Sequence, residues 1–416
     1  MRVFAVTSWI AVAVAVALPV PASAADPLPE GDQGLAANHP NDEGLGEDPQ
    51  VFLFEDFESY ADANALWDRW DNVYQLDQIR FATEPENVFA GAQSIEFTVP
   101  PQDAELSNSL DKAVSPEREV FFLRYYSKFS APFEVVGSSH NGSSISAHYF
   151  IDGQATPGVP ADGMNKFLVA YENWRGEDAT PTPGNLNVYV YHPEQRDNFG
   201  DHFFPTGVVL PNTSKLFDFG PDFVPYPDVI QELDRWYCYE FMVQANTPGV
   251  RDGRIAFWLD GVLAADFVNL RLRDVASLTI DRFGLGLHIG SNPNGEQKKW
   301  YDNIVAADAY VGPRFVPGSG DSGGEGDTSA GDGSASATQG SEGSASAGTE
   351  AGSATTEADA GTQPGEGSTT EAAAGDDGSG GCACTVLQTP WQAALGWIGL
   401  IALAGGSTSR RRRSGE

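Results

Sequence analysis

Residues 252–261 of the chain are DGRIAFWLDG, a short run of β-forming residues held between two Asp-Gly pairs. Asp-Gly is a preferred pair for the tight turns that join antiparallel strands. The stretch therefore predicts one strand of an antiparallel sheet with a turn at each end.

Similar runs recur from Val51 to Val316, and no segment there keeps a long apolar period of 3.6 residues. Many short strands with few helices predict an all-β fold, a β-sandwich of the jelly-roll kind. The predicted strands include Val51–Phe57, Ser94–Val99, Val120–Phe129, Ser144–Ile151, Lys166–Glu172, Leu186–His192, Trp236–Ala245, Arg254–Leu259, Phe283–Ile289 and Trp300–Ala306.

Alternation along three of these strands separates a core face from an opposite face. Glycines on the opposite face of one strand cost stability, so they indicate a place where a ligand or another segment approaches closely. The sequence leaves those two alternatives open. The residues assigned to the opposite faces are Arg124, Tyr126, Lys128, Asn187, Tyr189, Tyr191, Gly284, Gly286, His288 and Gly290.

The strongest motif evidence is the order of NTPG at 246–249, FWLDG at 257–261, GLHIG at 286–290 and WYDN at 300–303. From about Phe52 to Pro313 the chain resembles concanavalin A-like jelly-roll proteins related to polysaccharide lyases. The resemblance implies a carbohydrate-recognising sandwich. In those lyases a lysine-containing GGKLPGL stretch follows one strand, whereas this chain has VGSSHNG at 136–142, so that lysine is not carried over.

Lyases of acidic polysaccharides need a group that neutralises the uronic carboxylate, a base and an acid. Arg124 is a candidate neutraliser, His148 or His288 a candidate base, and Tyr189 or Tyr191 a candidate acid. Each of these residue types also serves as a packed or hydrogen-bonded structural residue. Ligand contacts are predicted at Tyr126, Lys128, His140, Asn187 and Gly286, with His140 in place of the missing lysine.

Acidic residues of the first and last strands suggest a separate role. In many jelly rolls these two strands lie side by side, and their carboxylates hold a structural Ca²⁺. Glu55, Asp56 and Asp302 are the candidate ligands, and a solvated edge is the alternative. No cofactor is required by the sequence. Cys238, inside a predicted strand, is expected to be a small buried residue.

The charge balance excludes one class of partner. The chain has 58 acidic and 24 basic residues, a formal charge of −34, so it lacks the basic character of a nucleic-acid-binding protein. The predicted domain is acidic as well, which would repel a polyanion at low salt. Three cysteines exclude a disulfide-stapled scaffold.

Both ends of the chain carry targeting features. Residues 1–24 predict a secretory signal peptide that ends in Ala-Ser-Ala. Residues 25–50 are expected to be disordered, residues 51–316 to form the sandwich domain, and residues 317–380 to form an acidic linker rich in Gly, Ser, Ala and Thr.

Residues 381–416 contain a GCAC motif, an apolar run from Trp391 to Gly406 and four consecutive arginines. This order resembles the myxobacterial C-terminal sorting tag, MYXO-CTERM. The resemblance implies a transmembrane segment, anchoring of the secreted protein at the cell surface, and processing at Cys382 or Cys384 by sorting machinery. An ordinary C-terminal membrane anchor is the alternative.

These features together predict a protein at the cell surface whose partner is an extracellular polysaccharide. Binding without efficient cleavage is the first hypothesis. A lyase that cleaves a uronic-acid-containing polysaccharide by β-elimination is the alternative, so the sequence leaves open whether the protein is an enzyme. A structural surface protein without a sugar ligand is a third possibility.

Overall fold

The computed structural model describes residues 27–137, 139–211, 217–292 and 294–317. Antiparallel strands dominate these ranges, which confirms the all-β prediction. The strands are β1 (Val51–Glu55), β2 (Asn72–Tyr74), β3 (Ile79–Ala82), β4 (Ser94–Val99), β5 (Leu106–Arg118), β6 (Val120–Phe129), β7 (Ser139–His140), β8 (Ser143–Ala147), β9 (Phe150–Ile151), β10 (Gln154–Ala155), β11 (Phe167–Trp174), β12 (Asn185–Tyr191), β13 (Asp201–Phe203), β14 (Val209–Leu210), β15 (Tyr237–Gln244), β16 (Gly253–Leu259), β17 (Val262–Leu270), β18 (Ile280–Ile289) and β19 (Gln297–Ala307).

The helices among the described residues are short 3₁₀ turns. None of them has the length and hydropathy needed to span a bilayer. They lie at Gly31–Gln33, Leu35–Asn38, Pro40–Asp42, Leu45–Glu47, Ala63–Asp68, Leu76–Gln78 and Pro85–Asn87.

Sheet A contains β17, β16, β15, β6, β19, β4 and β3 in that order, with β1 also paired to β19. The quoted stretch 252–261 supplies β16. Asp260 and Gly261 form the two-residue turn to β17, with φ of 50° and 79°. Positive φ at both positions is what a type I′ hairpin requires. Asp252, in contrast, belongs to a longer loop between β15 and β16, so only one of the two predicted hairpin turns is present.

Sheet B contains β14, β13, β12, β11, β8, β18, β5 and β2 in that order, with β7 also paired to β18. A separate two-stranded ribbon joins β9 to β10. The inner faces of sheets A and B pack against each other as a sandwich around one large apolar core. The residues that alternation assigned to the core all belong to it, namely Phe121, Leu123, Tyr125, Phe129, Leu186, Val188, Val190, Phe283, Leu285, Leu287 and Ile289.

Residues 27–50 correct the prediction of a disordered segment, because they pack against the outer face of sheet A. Trp258 donates its indole N–H to the carbonyl of Pro29 at 2.9 Å. The backbone N–H of Ala36 donates to the carbonyl of Val311 at 2.9 Å. The composition is that of a disordered segment, but contacts with the sheet supply the stability that the segment lacks alone.

A buried ion pair fixes this segment to the sheet. Arg124 Nη2 donates to Asp42 Oδ2 at 2.8 Å, and the two side chains are 0% and 1% exposed. The side-chain amide of Asn303 also approaches Asp42 Oδ2, at 3.2 Å. A buried guanidinium without a counter-charge would strongly destabilise the fold. Arg124 therefore serves to hold the N-terminal segment against sheet A through Asp42.

The predicted calcium ligands lie where β1 pairs with β19, so the expected strand neighbours are present. Glu55 accepts a hydrogen bond from the Tyr60 hydroxyl at 2.7 Å and lies 3.2 Å from Arg69 Nη1. Asp302 accepts from three backbone N–H groups, and burial raises its pKa to about 8. Asp56 accepts from a nearby backbone N–H. Each of these carboxylates thus has a hydrogen-bond partner within the chain, and the calcium site stays a prediction.

The structure describes one further prediction, and the others concern segments outside the described residues. Cys238 is a free, buried thiol in β15, as expected. The predicted signal peptide, the linker beyond Pro317 and the sorting tag with Cys382 and Cys384 lie outside the described residues.

The buried pair predicts a large stability difference between two matched variants. Asp42→Asn keeps the side-chain shape but leaves Arg124 buried without a counter-charge, so unfolding free energy should fall by about 3–5 kcal/mol. Asp48→Asn removes a carboxylate of the same segment that pairs with His39 at a partly exposed position, and should cost about 1 kcal/mol or less. Urea denaturation measures both values, and equal losses would contradict the assigned role of Arg124.

Candidate functional site

A fully buried carboxylate lies on the outer face of sheet B, the face directed away from the core. Glu172, on β11, has 0% side-chain exposure and lies 2.9 Å from His140 Nδ1. Alternation explains its direction, because the core residue Tyr171 precedes it. A buried carboxylate needs a hydrogen-bonded partner, and His140 supplies it.

A second histidine adjoins the same carboxylate. His202, on β13, has its Nδ1 3.8 Å from Glu172 and 2.9 Å from Asn187 Oδ1. The Asn187 side-chain nitrogen donates to backbone carbonyls, which leaves Oδ1 as an acceptor. His202 therefore donates from Nδ1, and in its neutral form the lone pair is on Nε2.

The histidines surround one tyrosine. The ring centre of Tyr189 lies 4.8 Å from that of His140 and 4.8 Å from that of His202. The His288 ring lies 5.5 Å from His140. Three of the six histidines in the protein therefore share this face. We call His140, His202 and His288, with Glu172 and Tyr189, the histidine cluster.

The rings of the cluster differ in their preferred charge. Burial opposes protonation of His140, but the charge and hydrogen bond of Glu172 outweigh it and raise the pKa of His140 above its ordinary value. Burial and then the neighbouring His140 charge lower the pKa of His202 and of His288 to about 3. One ring that favours the cationic form thus lies beside two that stay neutral, the separation expected of acid–base machinery.

The Tyr189 hydroxyl is held in place by the backbone. It accepts a hydrogen bond from the N–H of Gly200 at 2.9 Å. Burial and the adjacent Tyr191 raise the pKa of Tyr189, while the Gly200 N–H acts in the opposite direction. The phenol is therefore protonated at neutral pH, and a fixed N–H would stabilise the phenolate if the proton left.

The core supports this face from below. Lys299 is fully buried, and its Nζ donates to the carbonyl of Asn141 at 2.5 Å. Burial lowers the pKa of Lys299 well below its ordinary value. The Tyr301 hydroxyl donates to the carbonyl of Gly286 at 2.6 Å. These two core side chains fix the backbone that follows His140 and the glycine-rich strand β18.

Three predicted site residues lie elsewhere. Arg124, Tyr126 and Lys128 face outward from β6, but β6 belongs to sheet A, so they do not reach the histidine cluster. Arg124 is buried against Asp42, as described above. Tyr126 stacks on Phe89 with ring centres 3.5 Å apart, and Lys128 pairs with Asp234 at 2.9 Å. Their predicted roles fail because alternation assigns a face and not a sheet.

Two other candidates lie on sheet B, His148 away from the cluster and Tyr191 at its edge, with its ring centre 5.6 Å from that of Tyr189. His148 follows β8 and approaches Asp281, with Nε2 3.9 Å from the carboxylate. Tyr191 is 1% exposed, and the segment that contains β9 and β10 covers it together with Tyr149. His148 is as exposed as His140, each with 43% of its side chain accessible, but its carboxylate neighbour is Asp281 and not Glu172.

The two glycines of β18 nearest the cluster have different surroundings. A Cβ at Gly284 would lie 2.4 Å from Asp111 Oδ1, so the Asp111 side chain already fills that space. A Cβ at Gly286 would have its nearest neighbours at 3.5 Å, an ordinary contact distance. Of the two expected explanations, packing of a neighbour holds at Gly284, whereas Gly286 has room for a methyl group at ordinary contact distance.

The sequence identified His140, His288, Tyr189 and Asn187 but missed Glu172 and His202. A signal for Glu172 existed, because it ended a predicted strand whose alternate residues are apolar. His202 lies in a three-residue strand after a long loop, where local alternation is too short to assign a face. Within the described ranges no three His, Cys, Asp or Glu side chains are arranged as metal ligands.

Comparison with known proteins gives structural neighbours only. No protein-family model and no curated protein matches the sequence. A double mutant of alginate lyase Aly36B in complex with alginate trisaccharide is 17% identical, with a TM-score of 0.46 over 61% of this chain and 97% of that chain. The endo-β-1,4-glucuronan lyase from the fungus Trichoderma reesei is 16% identical, with a TM-score of 0.39 over 62% and 95%.

The cellulose induced protein Cip1 is 14% identical, with a TM-score of 0.37 over 63% of this chain and 99% of that chain. The neighbours thus include polysaccharide lyases. At these identities, the activity of the present chain has to be argued from its own residues.

The two glycines provide a matched stability test. Gly284→Ala should destabilise the protein by about 1–3 kcal/mol, because the new methyl group overlaps Asp111. Gly286→Ala should stay within about 0.5 kcal/mol of the parent protein. Chemical denaturation of both variants checks the difference, and an equal loss for Gly286→Ala would show that its apparent space is filled.

Replacement of Glu172 by Gln should reverse the pKa shift of His140. Without the Glu172 charge, burial outweighs the smaller contribution of Glu105, so the pKa of His140 should fall below its ordinary value of 6.5. In the parent protein the raised pKa of His140 contributes stability that is fully present below about pH 6.5. This contribution is lost as the pH rises through the pKa of His140 in the folded protein. NMR titration of the His140 ring measures this shift. Glu105→Gln is the comparison, because the charge of this exposed carboxylate raises the pKa of His140 less than Glu172 does. Its removal should lower that pKa by a smaller amount, and a comparable fall would contradict the assignment.

Proposed function

We propose that the histidine cluster binds an acidic polysaccharide and cleaves it by β-elimination, and that the sandwich is a concanavalin A-like jelly roll. The observation that carries the proposal is the pair of contacts around Tyr189, with a cation-favouring ring of His140 on one side and the neutral ring of His202 on the other. The family resemblance of the sequence supports the same chemistry.

His140 is suited to the uronic carboxylate. Its Nδ1 is engaged by Glu172, while the side chain remains 43% exposed. The protonated ring can therefore donate from Nε2 to a bound carboxylate and reduce its negative charge. Neutralisation of that charge acidifies the adjacent C5 proton of the sugar, which is the demanding part of the reaction.

His202 and Tyr189 are suited to the proton transfers. Neutral His202 can accept the C5 proton on Nε2 while Nδ1 stays bonded to Asn187. The electron pair of the C–H bond forms the C4–C5 double bond, and the C4–O4 bond breaks. Tyr189 gives its proton to O4, and the Gly200 N–H stabilises the phenolate that remains. Proton return from His202 to Tyr189 through solvent completes the cycle.

Binding without cleavage is the second candidate, and one observation favours it. Tyr189 is only 7% exposed, and its hydroxyl is already engaged by Gly200. A tyrosine in this state serves equally as a rigid floor under a bound sugar. The cluster would then supply hydrogen bonds and a carboxylate contact but no turnover.

Cell-surface display is also part of the proposal. It is supported by the order in the sequence of a predicted signal peptide, an acidic linker and a segment that resembles a C-terminal sorting tag. In that arrangement the linker would hold the sandwich away from the membrane, where large polysaccharides are accessible.

The proposal predicts an ultraviolet-absorbing product. Incubation of the protein with uronic-acid-containing polysaccharides should generate unsaturated sugar ends. Their C4–C5 double bond absorbs ultraviolet light, and the increase in absorbance measures the rate. Tyr189→Phe and His202→Asn should each reduce the rate roughly 10²–10⁴-fold, because each removes a proton-transfer group. His148→Asn changes a histidine outside the cluster and should retain the parent rate.

Binding is measured on the same panel by calorimetry. Binding with no unsaturated product would select the second candidate. Equal rates for the parent, Tyr189→Phe and His202→Asn proteins would show that the reaction occurs elsewhere. Neither binding nor product would leave the structural surface protein as the interpretation.

A further inference from the structure

A cavity of about 380 Å³ lies beside the histidine cluster, at the β14 end of sheet B. Its volume is within the range of small-ligand pockets. Trp174, on β11, connects it to the cluster, because the indole ring lies 4.9 Å from His202. Its lining includes Trp174, Glu177, Asn185, Phe204, Thr206 and Asp228.

One wall of the cavity is aromatic. The Trp174 ring lies 6.0 Å from that of Phe204, and its edge packs so closely on Gly176 that a Cβ there would lie 2.4 Å from the indole. The indole is thus held between the loop and the sheet while remaining partly exposed. A fixed, flat apolar ring suits the C–H face of a sugar.

The charged groups of the cavity are acidic. Glu177 and Asp228 are exposed carboxylates, and neither has an ion-pair partner among the described residues. The nearby Arg175 donates to the backbone carbonyls of Thr180 and Asp178. Arg175 is not among the residues that line the cavity, so a uronic carboxylate placed here would meet two like charges at the lining.

We propose that this cavity holds an uncharged sugar ring next to the uronate bound at the histidine cluster. The inference rests on the proposed function and narrows its substrate class to polysaccharides in which uronic acid alternates with a neutral or N-acetylated sugar. The carboxylates of Glu177 and Asp228 would repel a polymer made of uronates alone and weaken its binding. Repulsion of a wrong ligand is one way in which a binding site gains specificity. The hydroxyl and amide groups of Thr206 and Asn185 supply polar contacts.

Two hexasaccharides test the proposal by calorimetry, one of glucuronate only and one in which glucuronate alternates with N-acetylglucosamine. Both are titrated into the full chain carrying Tyr189→Phe, so that no cleavage intervenes. The alternating hexasaccharide should bind more tightly. Trp174→Ala should weaken its binding roughly tenfold, the scale of a lost aromatic contact.

Removal of the two charges gives the second arm. Glu177→Gln with Asp228→Asn should strengthen binding of the all-glucuronate hexasaccharide roughly fivefold, the scale of two exposed charge interactions, and leave the alternating one within about twofold. Glu43→Gln with Glu47→Gln makes the same charge change on the N-terminal segment and should alter neither. A preference for the all-glucuronate chain, or an unchanged ratio in the cavity variant, would overturn the inference.

The outcome is separable from that of the proposed function. Unsaturated product from the parent protein without a preference between the hexasaccharides would contradict only the cavity assignment. A clear preference that depends on Trp174 and the two carboxylates, without product, would support the cavity and contradict the lyase.

Discussion

The buried charge of Glu172 is the constraint on which the arrangement of the site depends. A carboxylate with no solvent contact requires a hydrogen-bonded partner, and the His140 ring provides it. That partnership favours the cationic form of His140, and the resulting positive charge adds to burial in keeping His202 and His288 neutral. One acidic residue on a central strand therefore favours the cationic form of His140 directly and, through that charge, adds to the burial that keeps the other two histidines neutral.

The geometry of the histidine cluster depends in turn on the core. Gly142 has no room for a side chain, since a Cβ would lie 1.8 Å from the carbonyl of Tyr171. Asn141 is held from two sides, by Lys299 at its carbonyl and by its side-chain pairing with the Asn173 backbone. The strand break that presents His140 is thus a built feature of the sandwich. A lysine that is kept in a low-pKa environment acts there as a hydrogen-bond donor.

The fold and part of the site could be predicted from local sequence, and the reasons for the failures are physical. Alternation in β6, β12 and β18 assigned core faces correctly, because a one-residue slip would expose the whole apolar set. It could not show that Arg124 and Tyr189 belong to different sheets, since strand order is fixed by long-range pairing. Alternation could not show either that residues 27–50 are well ordered. Their stability comes from contacts between residues distant in sequence, such as Arg124 with Asp42.

The charge of the molecule bears on which polymer its outer face can accept. A chain with a formal charge of −34 has an overall field that repels a polyanion beyond short range. The His140 cation is already compensated by Glu172, so the site offers a directed hydrogen-bond donor and little net positive potential. Such a site can select a carboxylate at contact distance but cannot attract a densely charged chain. Dilution of the charge along the polymer, with uncharged rings between uronates, removes most of that repulsion and leaves the contact with His140 intact. Glu177 and Asp228 of the cavity and the overall acidic charge therefore both favour a ligand whose negative charges are spaced apart.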